Sequence, residues 1–275
     1  MDILTEFEEK LLLRNLSERT VISYIGAIRL VSKKLNIPIE EITEYNLRTY
    51  IVGERKRKIS SSTQMSIINS FKAFYREIYD RPFDHNILPR PKMEQKQPDI
   101  LSPDEVLRIL NFTQNLKHKS IIALMYSCAI RVSEVVNLKI KDIDTGNNKI
   151  IIRSGKGKVD RVVMLDGSIL TLLRQYWNIY KTNEYLFEGS KGGKYSVSSI
   201  QNIVKTKTKE AGIHKHISSH SLRHSCLTQL IKNGVDLRRV QKIAGHKNIN
   251  TTAGYIKIID SDILDTESPI KMIAF

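Results

Sequence analysis

Two cysteines in 275 residues, Cys128 and Cys226, give no basis for a disulfide framework. Both sit among apolar neighbours, as buried thiols of a reducing compartment do. No apolar run reaches the about 18 residues that a membrane-spanning helix needs, so no membrane partner is expected. The opening stretch MDILTEFEEK is acidic and lacks the basic start and apolar segment of a secretory signal. These absences lead to the expectation of a cytoplasmic protein. The phosphate-loop pattern G-x-x-x-x-G-K-[ST] is missing, and so is the zinc-protease pattern H-E-x-x-H. Residues 213–225 are rich in histidine but contain no carboxylate and no cysteine pair.

What the chain has in excess is positive charge. It carries 44 Lys+Arg against 29 Asp+Glu, a net of +15, with a hydrophobic content of 41% that suits a folded protein. Such a balance points to a polyanionic partner, most simply nucleic acid. The excess is uneven. Residues 1–90 hold 15 basic against 12 acidic side chains, and residues 91–275 hold 29 against 17. The main phosphate-binding surface is therefore expected in the second part.

The length favours two domains. Residues 1–90 read as helices: NLSERTVISYIGAIRLVSKKL has a plausible N-cap at Ser17 and apolar residues at helical spacing. TEYNLRTYIVGERKRK and STQMSIINSFKAFYREIY read as further helices, with the basic run Arg55–Lys58 between them, a solvated loop or a DNA-backbone contact. The stretch NILPRPKMEQKQPDI, rich in proline and poor in apolar residues, reads as linker, assigned to residues 91–100. A second domain is expected over residues 101–275. It opens at LSPDEVLRIL, with Ser102 as cap, Pro103 in the first turn and Glu105 completing a capping box. HKSIIALMYSCAIRVSEVVNL reads as a long buried helix or a helix pair. NKIIIRSGKGKVDRVVML reads as two strands joined by a Gly/Lys-rich turn. Helices resume afterwards, and Asn250 is expected to cap a final helix that carries Tyr255. The fold class is mainly α with a small β-sheet.

Several residues bear on chemistry. Arg131 ends an apolar run, so it needs an anion, either a ligand or Glu134 three residues on. Lys156 and Lys158 occupy the turn GKGK, where glycines allow close backbone approach to a ligand. His216, His220 and His224 recur at four-residue spacing, which would suit a metal on one helix face. Alternatively, His220 and Arg223 aim an imidazole and a guanidinium at a phosphate. His216 is expected to precede the helix, which weakens the metal reading. His246 and Tyr255 alone read as a loop histidine and a packed aromatic.

In order, Arg131, Lys156, His220-x-x-Arg223, His246 and Tyr255 resemble the active-site set of the tyrosine recombinase (phage integrase/Xer) family. The matching stretches are YSCAIRVSEVVNLKIKDID, GKGKVDRVVML, SSHSLRHSCLTQLIKNGVDLRRVQKIAGHKNINTTAGYI and, towards the N-terminus, LSERTVISYIGAIRLV. The chain departs from the pattern at two places. The second lysine of GKGxK stands one place early, at Lys158, and the family glycine two residues before the first arginine is Ala129. Gly254, just before Tyr255, is expected to loosen the helix there.

The resemblance implies a helical SAM-like core-binding domain, over residues 1–90, and an α+β catalytic domain, the two clamping double-stranded DNA. Tyr255 would be the nucleophile, forming a 3′-phosphotyrosyl link and releasing a 5′-hydroxyl. Arg131 and Arg223 would hold the non-bridging oxygens, with fork geometry that lysine lacks. Lys156, or its rival Lys158, would protonate the leaving oxygen. His220 would assist proton movement at the nucleophile, His246 would hydrogen-bond the phosphate, and Glu134 and His224 would brace the site. No ATP is expected, because the phosphotyrosine preserves the bond energy, and no metal or cofactor, because the arginine clamps would replace a metal. The expected assembly is a homotetramer on two paired DNA sites, at the nucleoid; an accessory protein is neither required nor excluded. The tail IKIIDSDILDTESPIKMIAF would pack on a neighbouring protomer or fold back on its own domain. Other readings are a type IB topoisomerase, a non-catalytic DNA-binding regulator and, last, a metallohydrolase. No arm-binding domain is expected ahead of residue 1.

Overall fold

The computed structural model describes residues 2–92, 98–153 and 160–255. The chain divides into two compact units, Met1–Lys96 and Gln97–Phe275. Residues 93–97 of the expected linker lie outside the described residues.

The first unit is built from α1 (Ile3–Leu13), α2 (Glu18–Leu35), α3 (Glu44–Lys56) and α4 (Ser61–Tyr79). Short polar side chains start each helix by accepting a backbone N–H left over in the first turn. Asp2 caps α1, Ser17 caps α2 and Ser60 caps α4, while Thr43 and Asn46 form a reciprocal capping box on α3. Helices α2 and α4 end on left-handed residues, Asn36 and Asp80, whose side chains tolerate that backbone. The apolar faces meet in a core that includes Phe7, Ile28, Leu47, Phe71 and Phe74. Phe7 meets Phe74 edge-on, with centroids 5.2 Å apart. Each such ring removed from water contributes about 1.5–3 kcal/mol.

The basic run is not wholly a loop. Arg55 and Lys56 form the last turn of α3, where cations complement the helix dipole. Arg57 and Lys58 follow it, with Arg57 paired to Glu54 at 2.9 Å. The helix α1 arises from a stretch whose sequence drew attention only for its acidity.

The second unit begins with α5 (Pro103–Phe112), capped by Ser102 in the expected box with Glu105. Helix α6 (Leu116–Ser127) is buried nearly all round, with Ile121, Ile122, Leu124 and Met125 inside, and the short α7 (Val132–Val135) completes a helix pair. Strands β1 (Ile143–Asp144), β2 (Lys149–Ile152) and β3 (Arg161–Met164) form an antiparallel sheet in that order. The two expected strands are present, with Ile150 opposite Val163 and Ile152 opposite Arg161. Strand β1 is too short to announce itself by alternation.

Helices α8 (Gly167–Tyr180), α9 (Val197–Glu210), α10 (Ser219–Lys232), α11 (Leu237–Ala244) and α12 (Ile249–Ala253) follow. Asp236 caps α11 and Gly245 closes it with a left-handed backbone, φ 63°. The last helix departs from expectation. Asn248, not Asn250, is its cap, because the Asn248 carbonyl oxygen of the side chain takes the Asn250 N–H at 2.9 Å. The helix stops at Ala253, and Gly254 sits at its end with an ordinary φ of −58°. Gly254 therefore loosens no helix interior, and Tyr255 stands just beyond the helix. Among the described residues no helix is long and apolar enough to cross a membrane.

Candidate active site

The site starts where α6 ends. Ala129 turns the chain with a left-handed φ of 50° and is fully buried. That conformation costs a residue with a Cβ about 1–2 kcal/mol. It leaves the Ala129 carbonyl accepting a hydrogen bond from Arg223 Nη1. A glycine here would shed the strain but also a buried methyl, so Ala129→Gly should change stability by less than about 1 kcal/mol. Ala129→Val adds volume and a β-branch to the same backbone and should cost about 2 kcal/mol or more. Thermal unfolding of the two variants checks the contrast.

Two residues on, Arg131 opens α7 and folds onto Glu134. Its backbone N–H donates to Glu134 Oε2 at 2.7 Å, and Nη1 donates to Oε1 at 3.0 Å. Glu134 was expected to support Arg131, and it does so as part of a larger cluster. Arg161 on β3 grips the same carboxylate with both Nη1 and Nη2, at 2.7 and 2.8 Å. Arg161 Nε donates to the Ile243 carbonyl at 2.8 Å. Its side chain also runs under Gly245, where an added Cβ would lie 3.0 Å from Arg161 Cδ. Burial alone would raise the Glu134 pKa. The hydrogen bonds from Arg161 and the Arg131 backbone, with both guanidinium charges, outweigh it and bring the value down to about 2.

Arg223 lies on α10 and is 3% exposed. Besides Ala129, it donates through Nη2 to the Ala244 carbonyl at 2.5 Å and meets His246 Nε2 at 3.1 Å. Burial, then repulsion from Arg131, brings its pKa down to about 10, so it stays cationic at neutral pH. Two guanidiniums, Arg223 fixed by backbone carbonyls and Arg131 fixed by Glu134, repel each other closely enough to favour an anion beside them.

His246 follows α11, and Gln241 holds its carbonyl at 3.0 Å. A guanidinium has no acceptor. The contact with Arg223 therefore makes His246 Nε2 an acceptor and leaves the proton on Nδ1, which donates to Thr252 Oγ1 at 3.0 Å. Burial, then Arg223 and Arg131, lowers its pKa to about 4, consistent with a neutral ring. The ring lies parallel to Tyr255, with centroids 6.2 Å apart and planes 2° from coplanar.

Tyr255 is 4% exposed and packs in a small core with Ala129, Cys226, Leu227, Val240 and Ala244. Its hydroxyl meets His224 Nδ1 at 2.7 Å. Burial raises its pKa, and the charges of Arg223 and Arg131 work against that rise.

The helix α10, capped by Ser218, sorts the histidines. His216 precedes it, exposed, with its backbone N–H on the Asp99 carboxylate at 2.7 Å, so the regular four-residue spacing is broken. His220 is in the first turn and exposed. Desolvation of its ring, then Arg223 and Arg131, lowers its pKa. His224 is one turn further in, its ring 6.5 Å from that of His220.

The structure thus gathers Arg131, His220, Arg223, His246 and Tyr255 around one centre. Lys156 and Lys158 lie outside the described residues, as does the tail after Tyr255. Three participants escaped the sequence reading. Arg161 could have been found: in the strand RVVM it shares the inward face with Val163, so its charge must be buried against something. Thr252, fully buried, gave no signal. The contact between His224 and Tyr255 joins residues thirty-one apart and gave none either.

Comparison with known proteins bears on this arrangement. The profile of the phage integrase family matches residues 99–261, and that of the phage integrase N-terminal SAM-like domain matches residues 3–85. The chain is 31% identical to a tyrosine recombinase of Pseudothermotoga lettingae over 96% of each chain. It is 30% identical to the tyrosine recombinase XerA of Pyrococcus horikoshii, covering 99% of this chain and 94% of that one. In fold it is similar to lambda integrase, solved as a tetramer bound to a Holliday junction, with a TM-score of 0.76 at 18% identity. That likeness covers 92% of this chain and 76% of the other.

Proposed function

Given that this chain belongs to the phage integrase family and is a tyrosine site-specific recombinase, we propose that it cleaves and rejoins double-stranded DNA through a 3′-phosphotyrosyl link at Tyr255. The observation that carries this reading is the cluster itself: a tyrosine hydroxyl, two arginines and neutral imidazoles around one centre. A phosphodiester under attack gains negative charge on its non-bridging oxygens. Arg131 and Arg223 are the donors for them, Arg223 already desolvated and both already oriented, by Glu134 and by the Ala129 and Ala244 carbonyls respectively. His220 assists proton movement at the nucleophile. His246 reaches the phosphate once its Nε2 releases Arg223 and carries a proton. Lys156, with Lys158 as its rival, protonates the leaving 5′-oxygen. The bond energy is kept in the phosphotyrosine, so no ATP is needed, and the arginines supply the charge neutralisation that a metal would otherwise give.

The first unit serves as the other half of a DNA clamp, a core-binding domain over residues 1–90. It carries an open groove of about 850 Å³ whose charged lining residues, Arg48, Arg55, Lys56 and Lys92, are all basic. Such a surface suits a phosphate backbone. Recombination between two sites requires paired protomers, so the proposed assembly is a homotetramer on two paired DNA sites, at the nucleoid; the lambda integrase tetramer on a Holliday junction supports the tetramer.

A nicked duplex carrying the target site tests the reading, because the short strand diffuses away and traps the covalent state. The protein should give a denaturant-resistant adduct in EDTA and without ATP, and the adduct peptide should contain Tyr255. An adduct that needs metal, or one that maps to another residue, overturns the proposal. Paired sites then separate strand exchange from relaxation of supercoils.

A further inference from the structure

The nucleophile's proton has to go somewhere, and the geometry singles out one acceptor. Tyr255 is almost wholly buried, and its hydroxyl lies 2.7 Å from His224 Nδ1. The rings sit 5.3 Å apart and tilted at 45°, a contact shaped by the hydroxyl rather than by stacking. His220 is exposed, a helical turn nearer the start of α10. His246 is parallel to the tyrosine ring, and its two nitrogens are engaged by Arg223 and Thr252.

We propose that His224 is the catalytic base that takes the proton of the Tyr255 hydroxyl directly during strand cleavage, and that His220 assists only in its onward movement. The inference rests on Tyr255 being the nucleophile and concerns only where its proton goes. In the tautomer protonated at Nε2, His224 Nδ1 accepts from the Tyr255 hydroxyl. As Tyr255 Oη bonds to phosphorus, the bond from phosphorus to the 5′-oxygen breaks. Its electron pair leaves on that oxygen, which takes a proton from Lys156 or its rival Lys158. The tyrosine proton passes to His224 Nδ1, giving an imidazolium. When a 5′-hydroxyl attacks the phosphotyrosine, the proton returns and Tyr255 leaves neutral.

The surroundings suit a base. Burial, then His220 and Arg223, holds the His224 pKa below the usual imidazole value, so its lone pair is open at neutral pH. The charged and titratable groups facing the pair are His220 and Arg223 on the same helix, Arg131, His246 and Cys226. Arg223 disfavours an imidazolium at His224, which presses the proton onward. His220, 6.5 Å away and exposed, is the next imidazole toward water.

A brace and a base respond differently to asparagine, whose side-chain oxygen reaches the position of Nδ1 and can hydrogen-bond a hydroxyl without accepting its proton. The measurement is single-turnover cleavage of the nicked substrate, made with oxygen or with sulfur at the 5′-bridging position. Sulfur leaves without a general acid, so it removes the lysine's contribution alone. His224→Asn should cleave both substrates roughly 100-fold or more slowly than wild type. His224→Ala should regain activity when imidazole is added. Wild-type cleavage by His224→Asn, repair of its defect by sulfur, or no response of His224→Ala to imidazole overturns the inference. An adduct formed by Tyr255→Phe would overturn the underlying assignment of the nucleophile instead.

Discussion

Tyr255→Phe should form no covalent adduct with DNA, a loss of at least about 10⁴-fold in cleavage. The prediction is sharp because the substitution is nearly silent for the fold. The ring keeps its place among Ala129, Leu227, Val240 and Ala244, and its parallel contact with His246. Only the hydroxyl and its bond to His224 Nδ1 are lost. One unmade hydrogen bond at a half-buried histidine costs about 1 kcal/mol. Gel-shift binding should therefore stay close to wild type while the denaturant-resistant band disappears. Residual adduct in the variant would mean that another nucleophile serves.

Glu134→Gln should produce the largest loss of stability among single substitutions at the site. The carboxylate is the one anion between two guanidiniums, and its side chain is 12% exposed, that of Arg161 10%. Removing one partner from a buried ionic cluster costs roughly 3–5 kcal/mol, because the charges left behind stay desolvated. The variant should also cleave slowly, since the amide can accept only one of the two hydrogen bonds by which Glu134 orients Arg131.

The same group makes stability depend on pH. In the folded chain the Glu134 pKa is about 2, below its unfolded value of 4.5. The unfolded state therefore binds the proton first as pH falls. The stabilisation is fully present above pH 4.5 and is lost as pH drops toward 2, an effect of roughly 3 kcal/mol. Denaturant unfolding at neutral and acid pH should show this component in the wild type and not in Glu134→Gln.

Much of the local structure was legible from the order of residues. Ser17, Ser102 and Asp236 start helices as their side-chain chemistry requires, and Gly245 ends one where only a residue without a Cβ fits under Arg161. The last helix was misread by two residues, because Asn248 and Asn250 are equally good caps by chemistry. The backbone after Gly245 decides between them. The chemical types needed for phosphoryl transfer were also legible, since an arginine in an apolar run and H-x-x-R announce charges that must be paid with an anion.

The partners of these charges far along the chain were not legible, although Glu134, three residues from Arg131, was. The sequence by itself determined the helical first unit, the hairpin, the helix that carries His220, His224 and Arg223, and the inventory of reactive groups. Periodicity and capping act over three or four residues, so they can be read from neighbours along the chain. Only the tertiary structure decided that Arg161 shares Glu134 with Arg131, that Ala129 and Ala244 hold Arg223, and that His224 meets Tyr255. Those contacts join residues from 21 to 94 positions apart. Which buried donor meets which acceptor depends on how α6, α10, α11 and β3 pack, and packing has no period along the sequence.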